Sequence, residues 1–158
     1  MVAYYHKILF SINRFITLIS ITIIALIVSV TFLQVIFRYV LNNSLGWADE
    51  VSRFMLIWAS FLSISIAVWH KAHLRIDFFI KRFPNGILKF VTPIIHIANM
   101  AFLLIAFVTS FYVISISSNF ALVSVPLNWG QALISFPIGI GLSFLYYINF
   151  LIQGEGVK

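Results

Sequence analysis

The stretch that decides the fold is residues 15–37, which read FITLISITIIALIVSVTFLQVIF. No charged residue lies between Arg14 and Arg38, which bound the stretch on either side. As an α-helix these 23 residues would be about 34 Å long, because each residue adds about 1.5 Å. The hydrocarbon core of a bilayer is about 30 Å thick. The stretch therefore predicts a helix that crosses a membrane with some tilt, and it is too long for the apolar part of a signal peptide.

The composition of the whole chain points the same way. Of its 158 residues 62% are hydrophobic and 9% are charged, and the mean hydropathy is +1.07. A soluble domain usually carries about 25% charged residues, so a water-soluble globule is excluded. The absence of cysteine excludes disulfides, thiolate metal sites and cysteine nucleophiles. The excess of Lys and Arg over acidic residues is typical of membrane topology signals rather than of nucleic-acid binding.

The uncharged stretches predict an all-α fold with four transmembrane helices in a single domain covering residues 1–158. The second stretch, residues 54–69, is short, so its helix is expected to begin near Trp47. The stretch after Lys89 is too long for one crossing and is divided at the turn-forming residues 126–130. Pro137 should bend or loosen the fourth helix. The predicted spans are about 15–37, 47–69, 90–119 and 131–153.

The Lys and Arg residues predict which helix ends face the cytoplasm. In a four-span chain the N-terminal tail, the 70–89 loop and the C-terminal tail lie on one side. The other side holds only Arg38 and Arg53, offset by Asp49 and Glu50. The positive-inside rule therefore predicts a multi-pass protein of the bacterial cell inner membrane with both termini in the cytoplasm. The basic residues on the predicted cytoplasmic side are Lys7, Arg14, Lys71, Arg75, Lys81, Arg82, Lys89 and Lys158.

The predicted cytoplasmic segment 70–89 has mixed character. Its histidines, lysines and arginines alternate with aliphatic and aromatic residues. Such a pattern favours an amphipathic, interfacial segment at the headgroup level, with phospholipid as its partner.

Segment 38–53 contains a predicted turn, marked by its Asn, Ser and Gly residues at 42–46. Two interpretations of the segment as a whole remain open. Asp49 and Glu50 fall near the start of the second helix, where the helix dipole favours carboxylates. Glu50 and Arg53 are three residues apart and can form an ion pair on one helix face. One interpretation is a capped helix end with Trp47 as an interfacial anchor. The other is a docking surface for an external partner.

Reactive groups are sparse within the predicted spans. The third span carries only His96, and no carboxylate lies at mid-membrane, which argues against an ion-coupled transporter that acts alone. One function that these residues allow, kept as the alternative to the function proposed below, is that of a four-helix membrane b-type cytochrome subunit that binds haem through His70 and His96. No group of residues has the spacing of metal ligands, and no phosphate loop or nucleophile elbow occurs. We therefore expect no enzyme activity, metal or cofactor.

Several short motifs, taken in order, resemble those of a known family. Arg38 ends the first span, and a Trp-x-x-Glu element made by Trp47 and Glu50 is followed by Arg53 and by Trp58 in the second span. The stretches HLRID at 73–77, VPLNW at 125–129 and FPIG at 136–139 follow. Their order and spacing over nearly the whole chain are similar to the DctQ-like small membrane subunit of tripartite ATP-independent periplasmic (TRAP) transporters.

The resemblance implies a non-catalytic subunit of a three-part transporter. In such systems a periplasmic substrate-binding protein captures an organic acid, often a C4-dicarboxylate or a sialic acid. A large elevator-type membrane subunit then moves the acid inward with sodium ions. The small subunit would scaffold the large one and help dock the binding protein, with His73, Arg75 and Asp77 bracing a cytoplasmic arm. The residues implied in partner binding on the periplasmic side are Arg38, Trp47, Asp49, Glu50, Arg53, Pro126 and Trp129.

Overall fold

The computed structural model describes residues 2–70 and 85–152 as helices joined by short connections. The helices are α1 (Val2–Tyr39), α2 (Gly46–Trp69), α3 (Asn85–Ser117), α4 (Trp129–Leu133) and α5 (Ser135–Ile152). Four segments are long and apolar enough to cross a membrane: Lys7–Tyr39, Gly46–Trp69, Pro93–Ser117 and Trp129–Asn149. The prediction of an all-α protein with four membrane-spanning helices is therefore confirmed. The predicted interfacial segment, with His73, Arg75 and Asp77, lies outside the described residues except at its ends.

The connection between α1 and α2 depends on Asn42. Its φ angle of 48° is in the left-handed region, where Asn is tolerated better than most residues. The chain reverses there, and the amide of Asn43 donates to the carbonyl oxygen of Phe37 at 3.0 Å. This bond caps one of the free carbonyl groups at the end of α1. The turn predicted from the Asn and Gly residues of segment 42–46 therefore exists, and α2 begins at Gly46, close to its predicted start.

The fourth span consists of two helices because of Pro137. Proline has no amide hydrogen, and its ring collides with the carbonyl group four residues earlier, which here belongs to Leu133. The helix α4 ends at Leu133, Ile134 forms a turn, and α5 begins at Ser135. The predicted loosening of the fourth helix at Pro137 is confirmed. Trp129 and Gly130, which the sequence places in the turn, belong to α4 instead.

The four spans form an open row rather than a closed bundle. Among the described residues, α1 packs against α2, α2 packs against α5, and α5 packs against α3. The short helix α4 contacts α2, α3 and α5. The first and third spans are therefore the outer members of the row, and each turns much of its surface away from the protein. The large apolar side chains exposed on these two helices include Phe15, Leu18, Ile21, Val28, Phe32, Ile97, Phe102, Ile105, Val108 and Phe111.

The centre of the row is a close contact between α2 and α5. A Cβ atom added at Gly139 would collide with the backbone carbonyl group of Phe61, so only glycine permits this approach. The rings of Phe61 and Phe136 stack beside it, with centroids 4.5 Å apart. Small residues at a helix interface let backbones approach closely in membranes, where no hydrophobic effect drives helices together.

The row has two ends that differ in chemistry. We call the end where α1 finishes and α2 begins, with residues 38–53 and 118–133, the Glu50 end. The opposite end contains the start of α1, the last turn of α2, the first half of α3 and the last turns of α5, and we call it the His96 end.

Candidate docking surface

Glu50 joins α2 to the loop between α3 and α4. Its Oε1 atom accepts a hydrogen bond from the amide of Val123 at 2.9 Å, and its Oε2 atom accepts one from the amide of Ser124 at 2.7 Å. Hydrogen bonds to a carboxylate are charge-assisted and stronger than those between neutral groups. Glu50 and Arg53, which the spacing allows to pair, form no ion pair in the described structure; the carboxylate oxygens of Glu50 accept hydrogen bonds from the loop amides.

The loop 118–128 folds back on itself at the Glu50 end. The amide of Leu122 donates to Leu127 at 2.8 Å, and the amide of Trp129 donates to Phe120 at 3.0 Å. Ala121 and Asn128 form an isolated antiparallel bridge between the two arms of the loop. The side chain of Leu122 is buried, whereas that of Val123 is 95% exposed. The loop thus combines an anchored apolar side chain with an exposed one at adjacent positions.

Asp49 makes a second connection at this end, to α1. Its Oδ1 atom accepts a hydrogen bond from the Nε2 group of Gln34 at 3.0 Å. The side chain of Asp49 is exposed, so the bond lies where water competes for both groups. The two adjacent acidic residues therefore face different neighbours: Asp49 contacts α1, and Glu50 contacts the loop.

Arg38 and Arg53 are exposed cations of the Glu50 end. Neither makes an ion pair with any residue in the described ranges, and the guanidinium of Arg38 lies 5.7 Å from the ring centroid of Tyr39. Asp49 and Glu50 stay negatively charged when they accept hydrogen bonds from neutral amides, so the Glu50 end presents two cations and two anions, and within the described ranges the two cations are not ion-paired.

The remaining residues predicted for partner binding lie at the same end. Trp47 is 41% exposed in the first turn of α2, and Pro126 is exposed in the loop. Trp129 is half-buried at the start of α4, where the side chain of Gln131 accepts a hydrogen bond from the amide of Asn128 at 3.1 Å. The structure thus brings all seven predicted partner-binding residues to one end of the row.

Two parts of this surface are not visible from the sequence motifs. The side chain of Gln34 is a partner of Asp49, and the loop contributes backbone amides rather than side chains to Glu50. Backbone donors leave no residue-type signal. The close packing of α4 has a weak sequence signal, which is the glycine at position 130. In the structure a Cβ atom at Gly130 would lie 2.9 Å from the Cα atom of Ser118.

The His96 end is held by aromatic and polar contacts across every helix interface. The rings of Phe10 and Trp69 join α1 to α2 at 6.4 Å between centroids, and the rings of Trp69 and Tyr146 join α2 to α5 at 5.1 Å. The Nδ1 atom of His96 on α3 lies 2.7 Å from the hydroxyl oxygen of Tyr147 on α5. Tyr147 is almost completely buried.

These contacts do not favour haem binding. His70 is exposed at the end of α2, whereas His96 is on α3, and α5 packs between these two helices. One ring nitrogen of His96 is already engaged with Tyr147. In the described ranges, no group of three or more His, Asp or Glu side chains is arranged to hold a metal ion. The cytochrome alternative has no support.

The fold and this surface define a class of protein: a multi-pass, all-helical membrane protein with its exposed charges at the helix ends. The family model described as "Tripartite ATP-independent periplasmic transporters, DctQ component" matches residues 27–155. The chain therefore belongs to the DctQ component family of TRAP transporters. The resemblance predicted from its motifs is confirmed.

Three curated relatives agree with this assignment. A provisionally named TRAP transporter small permease protein of Haemophilus influenzae is 32% identical over 84 residues, which are 51% of this chain and 52% of the relative. The sialic acid TRAP transporter permease protein SiaT of H. influenzae is 28% identical over 76 residues, 48% of this chain and 12% of SiaT. The isethionate TRAP transporter permease protein DctMQ of Oleidesulfovibrio alaskensis is 31% identical over 67 residues, 39% of this chain and 10% of DctMQ. The matches thus span about half of the first relative and a small part of the other two.

Proposed function

We propose that this chain is the small, non-catalytic membrane subunit of a TRAP transporter in the bacterial inner membrane. It scaffolds a large membrane subunit and helps dock a periplasmic substrate-binding protein during sodium-driven uptake of an organic acid. The observation that carries this proposal is the Glu50 end, where a DctQ-family chain gathers its exposed loop, its free cations and two of its acidic side chains.

The position of the acidic residues supports a subunit that does not itself couple ions. The four acidic residues of the chain are Asp49, Glu50, Asp77 and Glu155, and in the described part of the chain none lies near the middle of a span. Intramembrane carboxylates are the usual groups that bind protons or cations in transporters. Sodium coupling and substrate binding are therefore assigned to the large subunit.

The distribution of basic residues supports the orientation. Lys7 and Arg14 lie in the part of α1 toward the His96 end, and five more basic residues fall in the sequence between Trp69 and Phe90. At the Glu50 end the two arginines are balanced by two acidic residues. By the positive-inside rule the His96 end faces the cytoplasm and the Glu50 end faces the periplasm, where a binding protein can reach it.

The open row supports the scaffold role. The outer helices α1 and α3 expose bulky apolar side chains along their length, which either lipid or a larger membrane protein can cover. SiaT and DctMQ are permease proteins of which the matched stretch is about a tenth. These proportions support a small unit that works beside a much larger membrane protein.

The substrate class rests on the names of the relatives. SiaT is named for sialic acid and DctMQ for isethionate, both organic anions. An organic acid is therefore the proposed cargo, and the family resemblance adds the C4-dicarboxylates to the sialic acid type as candidates.

The test is co-purification followed by transport. The tagged chain is expressed with the large subunit, extracted in mild detergent and analysed by mass spectrometry and absorption spectroscopy. We expect a stoichiometric large subunit, no Soret band, and, in proteoliposomes, uptake of labelled organic acid that requires a sodium gradient and the binding protein. A chain that purifies alone, a Soret band, or equal uptake by the large subunit without this chain would contradict the proposal.

A further inference from the structure

The hydrogen bonds of Glu50 allow a further inference, which rests on the docking role proposed above. We propose that Glu50 is a positioning residue, which holds the loop 118–128 in the shape that the binding protein meets. On this account its charge acts on the loop amides, and the contact surface for the binding protein is the loop itself together with the exposed cations of the Glu50 end.

The geometry of the carboxylate supports an indirect role. Each of its two oxygens already accepts a hydrogen bond from a loop amide, at 2.9 Å from Val123 and 2.7 Å from Ser124. The side chain of Glu50 is half-buried, whereas that of its neighbour Asp49 is exposed. A carboxylate with both oxygens engaged has less to offer an external partner than an exposed one.

The other hydrogen bonds of the loop show why the side chain of Glu50 is important for holding the loop against α2. The other backbone hydrogen bonds of residues 118–128 within the described ranges join loop residues to one another, to α4 or to the end of α3. Glu50 supplies the hydrogen-bonded connection to α2. It binds at the point where the chain passes from buried Leu122 to Val123, which is 95% exposed. The carboxylate therefore fixes where the loop turns its side chains outward.

Removing the carboxylate should change the shape of the loop more than the stability of the helices. The amides of Val123 and Ser124 lie at an exposed end of the row, where water can replace the lost acceptor. The loop then samples other shapes. If the binding-competent shape falls to about a tenth of the population, the apparent Kd rises about tenfold.

The structure also offers a substitute for the carboxylate. A Cβ atom built at Gly46, in the first turn of α2, would lie 3.8 Å from the side-chain oxygen of Ser124. The sulfur of a cysteine at position 124 would lie near that oxygen and would face the Cβ atom of a cysteine at position 46, so a small shift of the exposed loop would allow a disulfide between them. The chain has no cysteine of its own, so this pair has no competing thiol within the chain. G46C/S124C would tie the loop to α2 without any charge at position 50.

The first arm of the test needs no binding protein. Hydrogen exchange is measured on the complex with the large subunit, for the wild type and for Glu50→Ala. We expect the amides of Val123 and Ser124 to lose protection in the variant. The amide of Leu122, which donates to Leu127, serves as the internal control and should keep its protection. Unchanged exchange at 123 and 124 would overturn the proposal.

The second arm measures the affinity of the purified periplasmic binding protein of the same transporter for the complex in nanodiscs. We expect Glu50→Ala to raise the Kd about tenfold. Adding the oxidised G46C/S124C pair to that variant should restore most of the affinity, and a reducing agent should remove the gain. The same pair in the wild-type background is the matched control for harm done by the cross-link itself.

The outcomes separate the two proposals. If Glu50→Ala weakens binding and the disulfide fails to restore it while the control pair binds normally, Glu50 contacts the partner directly and the positioning role is wrong. If the wild-type complex binds no binding protein, the docking role fails, whereas the exchange measurement still decides whether Glu50 holds the loop.

Discussion

The two ends of the helix row are held together by different kinds of contact. At the Glu50 end carboxylates accept hydrogen bonds from a side-chain amide on α1 and from backbone amides of the loop, and these contacts are exposed or half-buried. At the His96 end aromatic rings and hydrogen bonds between His96 and Tyr147 connect the helices, and Tyr147 is almost fully buried. The first kind of contact tolerates exchange with water, and the second does not.

The two kinds of contact therefore affect different properties: the conformation of the exposed loop at one end and the stability of the subunit at the other. Contacts that water can replace contribute little to the free energy of unfolding, but they can select one conformation of an exposed loop. Contacts buried among apolar residues contribute to stability directly, since a lost partner leaves an unsatisfied polar group. We therefore expect changes at the Glu50 end to affect partner binding, and changes at the His96 end to affect the stability of the subunit.

The largest expected loss of stability comes from a change at the contact between α2 and α5, midway between the two ends. Gly139→Leu places a side chain against the backbone carbonyl group of Phe61, which has no rotamer to adopt and cannot move aside. Overpacking of this kind costs about 1–3 kcal/mol or more. The expected result is loss of the monodisperse complex in size-exclusion chromatography after mild-detergent extraction.

A matched control for this prediction is Gly141→Ala. Its Cβ atom would lie 3.4 Å from the ring of Phe107, a side chain that can shift. A complex of Gly139→Leu as stable as that of Gly141→Ala would show that the close contact in the middle of the row is not required.

The next effect concerns the free cations at the Glu50 end. The double variant Arg38→Glu and Arg53→Glu reverses both charges, which make no ion pair in the described part of the chain. Charge at the rim of an interface acts mainly on the association rate, by about tenfold or more at low salt. Stopped-flow mixing with the binding protein should show slower association, and the difference should shrink as salt is added. An association rate that is unchanged at low salt would remove these arginines from the docking surface.

A smaller effect is expected at the His96 end from Tyr147→Phe. This change removes the hydroxyl group that lies 2.7 Å from the Nδ1 atom of His96. Hydrogen bonds between membrane helices contribute about 0.6 kcal/mol on average and at most about 2 kcal/mol. The melting temperature of the complex should fall by a few degrees, while its affinity for the binding protein should not change.

The neighbouring tyrosine provides the control for this prediction. The hydroxyl group of Tyr146 is buried without a hydrogen-bond partner in the described structure. Tyr146→Phe therefore removes an unsatisfied polar atom and should leave the melting temperature unchanged or slightly higher. Equal losses in both variants would mean that packing of the rings, rather than the bond to His96, stabilises this end.

The smallest expected effect comes from Asp49. Asp49→Asn keeps an oxygen that can accept the bond from Gln34, whereas Asp49→Ala removes it. Because the bond is exposed, Asp49→Ala should lower the melting temperature less than Tyr147→Phe does, and Asp49→Asn should lower it less still. A large loss in Asp49→Asn would show that the charge, not the hydrogen bond, is what matters.

The sequence predicts the helices well for a simple reason. A membrane span must be long, apolar and helical, so the uncharged stretches and the breaks at Asn42 and Pro137 determine most of the fold. The family resemblance also follows from short motifs in a fixed order. The helices extend beyond the predicted spans: α1 begins at Val2 rather than near residue 15, and α4 includes Trp129 and Gly130, which the sequence places in the turn.

The candidate surface was only partly predictable. Motifs mark Glu50 and Arg53, but local spacing pairs them with each other, whereas the structure pairs Glu50 with amides more than 70 positions away. Contacts of that kind depend on how α3 and α4 place the loop beside α2. The order of the helices in the row could not be predicted from the sequence either. The outer surfaces of α1 and α3 are apolar, and neither helix has a one-sided apolar pattern that would indicate which helix packs against it.

The proposed docking role requires the Glu50 end to face the periplasm, and cysteine labelling measures that orientation. Since the chain lacks cysteine, Ser44→Cys at the Glu50 end and Lys7→Cys near the start of α1 can each report accessibility alone. Intact cells are treated with a membrane-impermeant maleimide, before and after permeabilisation of the inner membrane. We expect position 44 to be labelled in intact cells and position 7 only after permeabilisation. Labelling of position 7 but not of position 44 in intact cells would place the proposed docking surface in the cytoplasm and contradict the account.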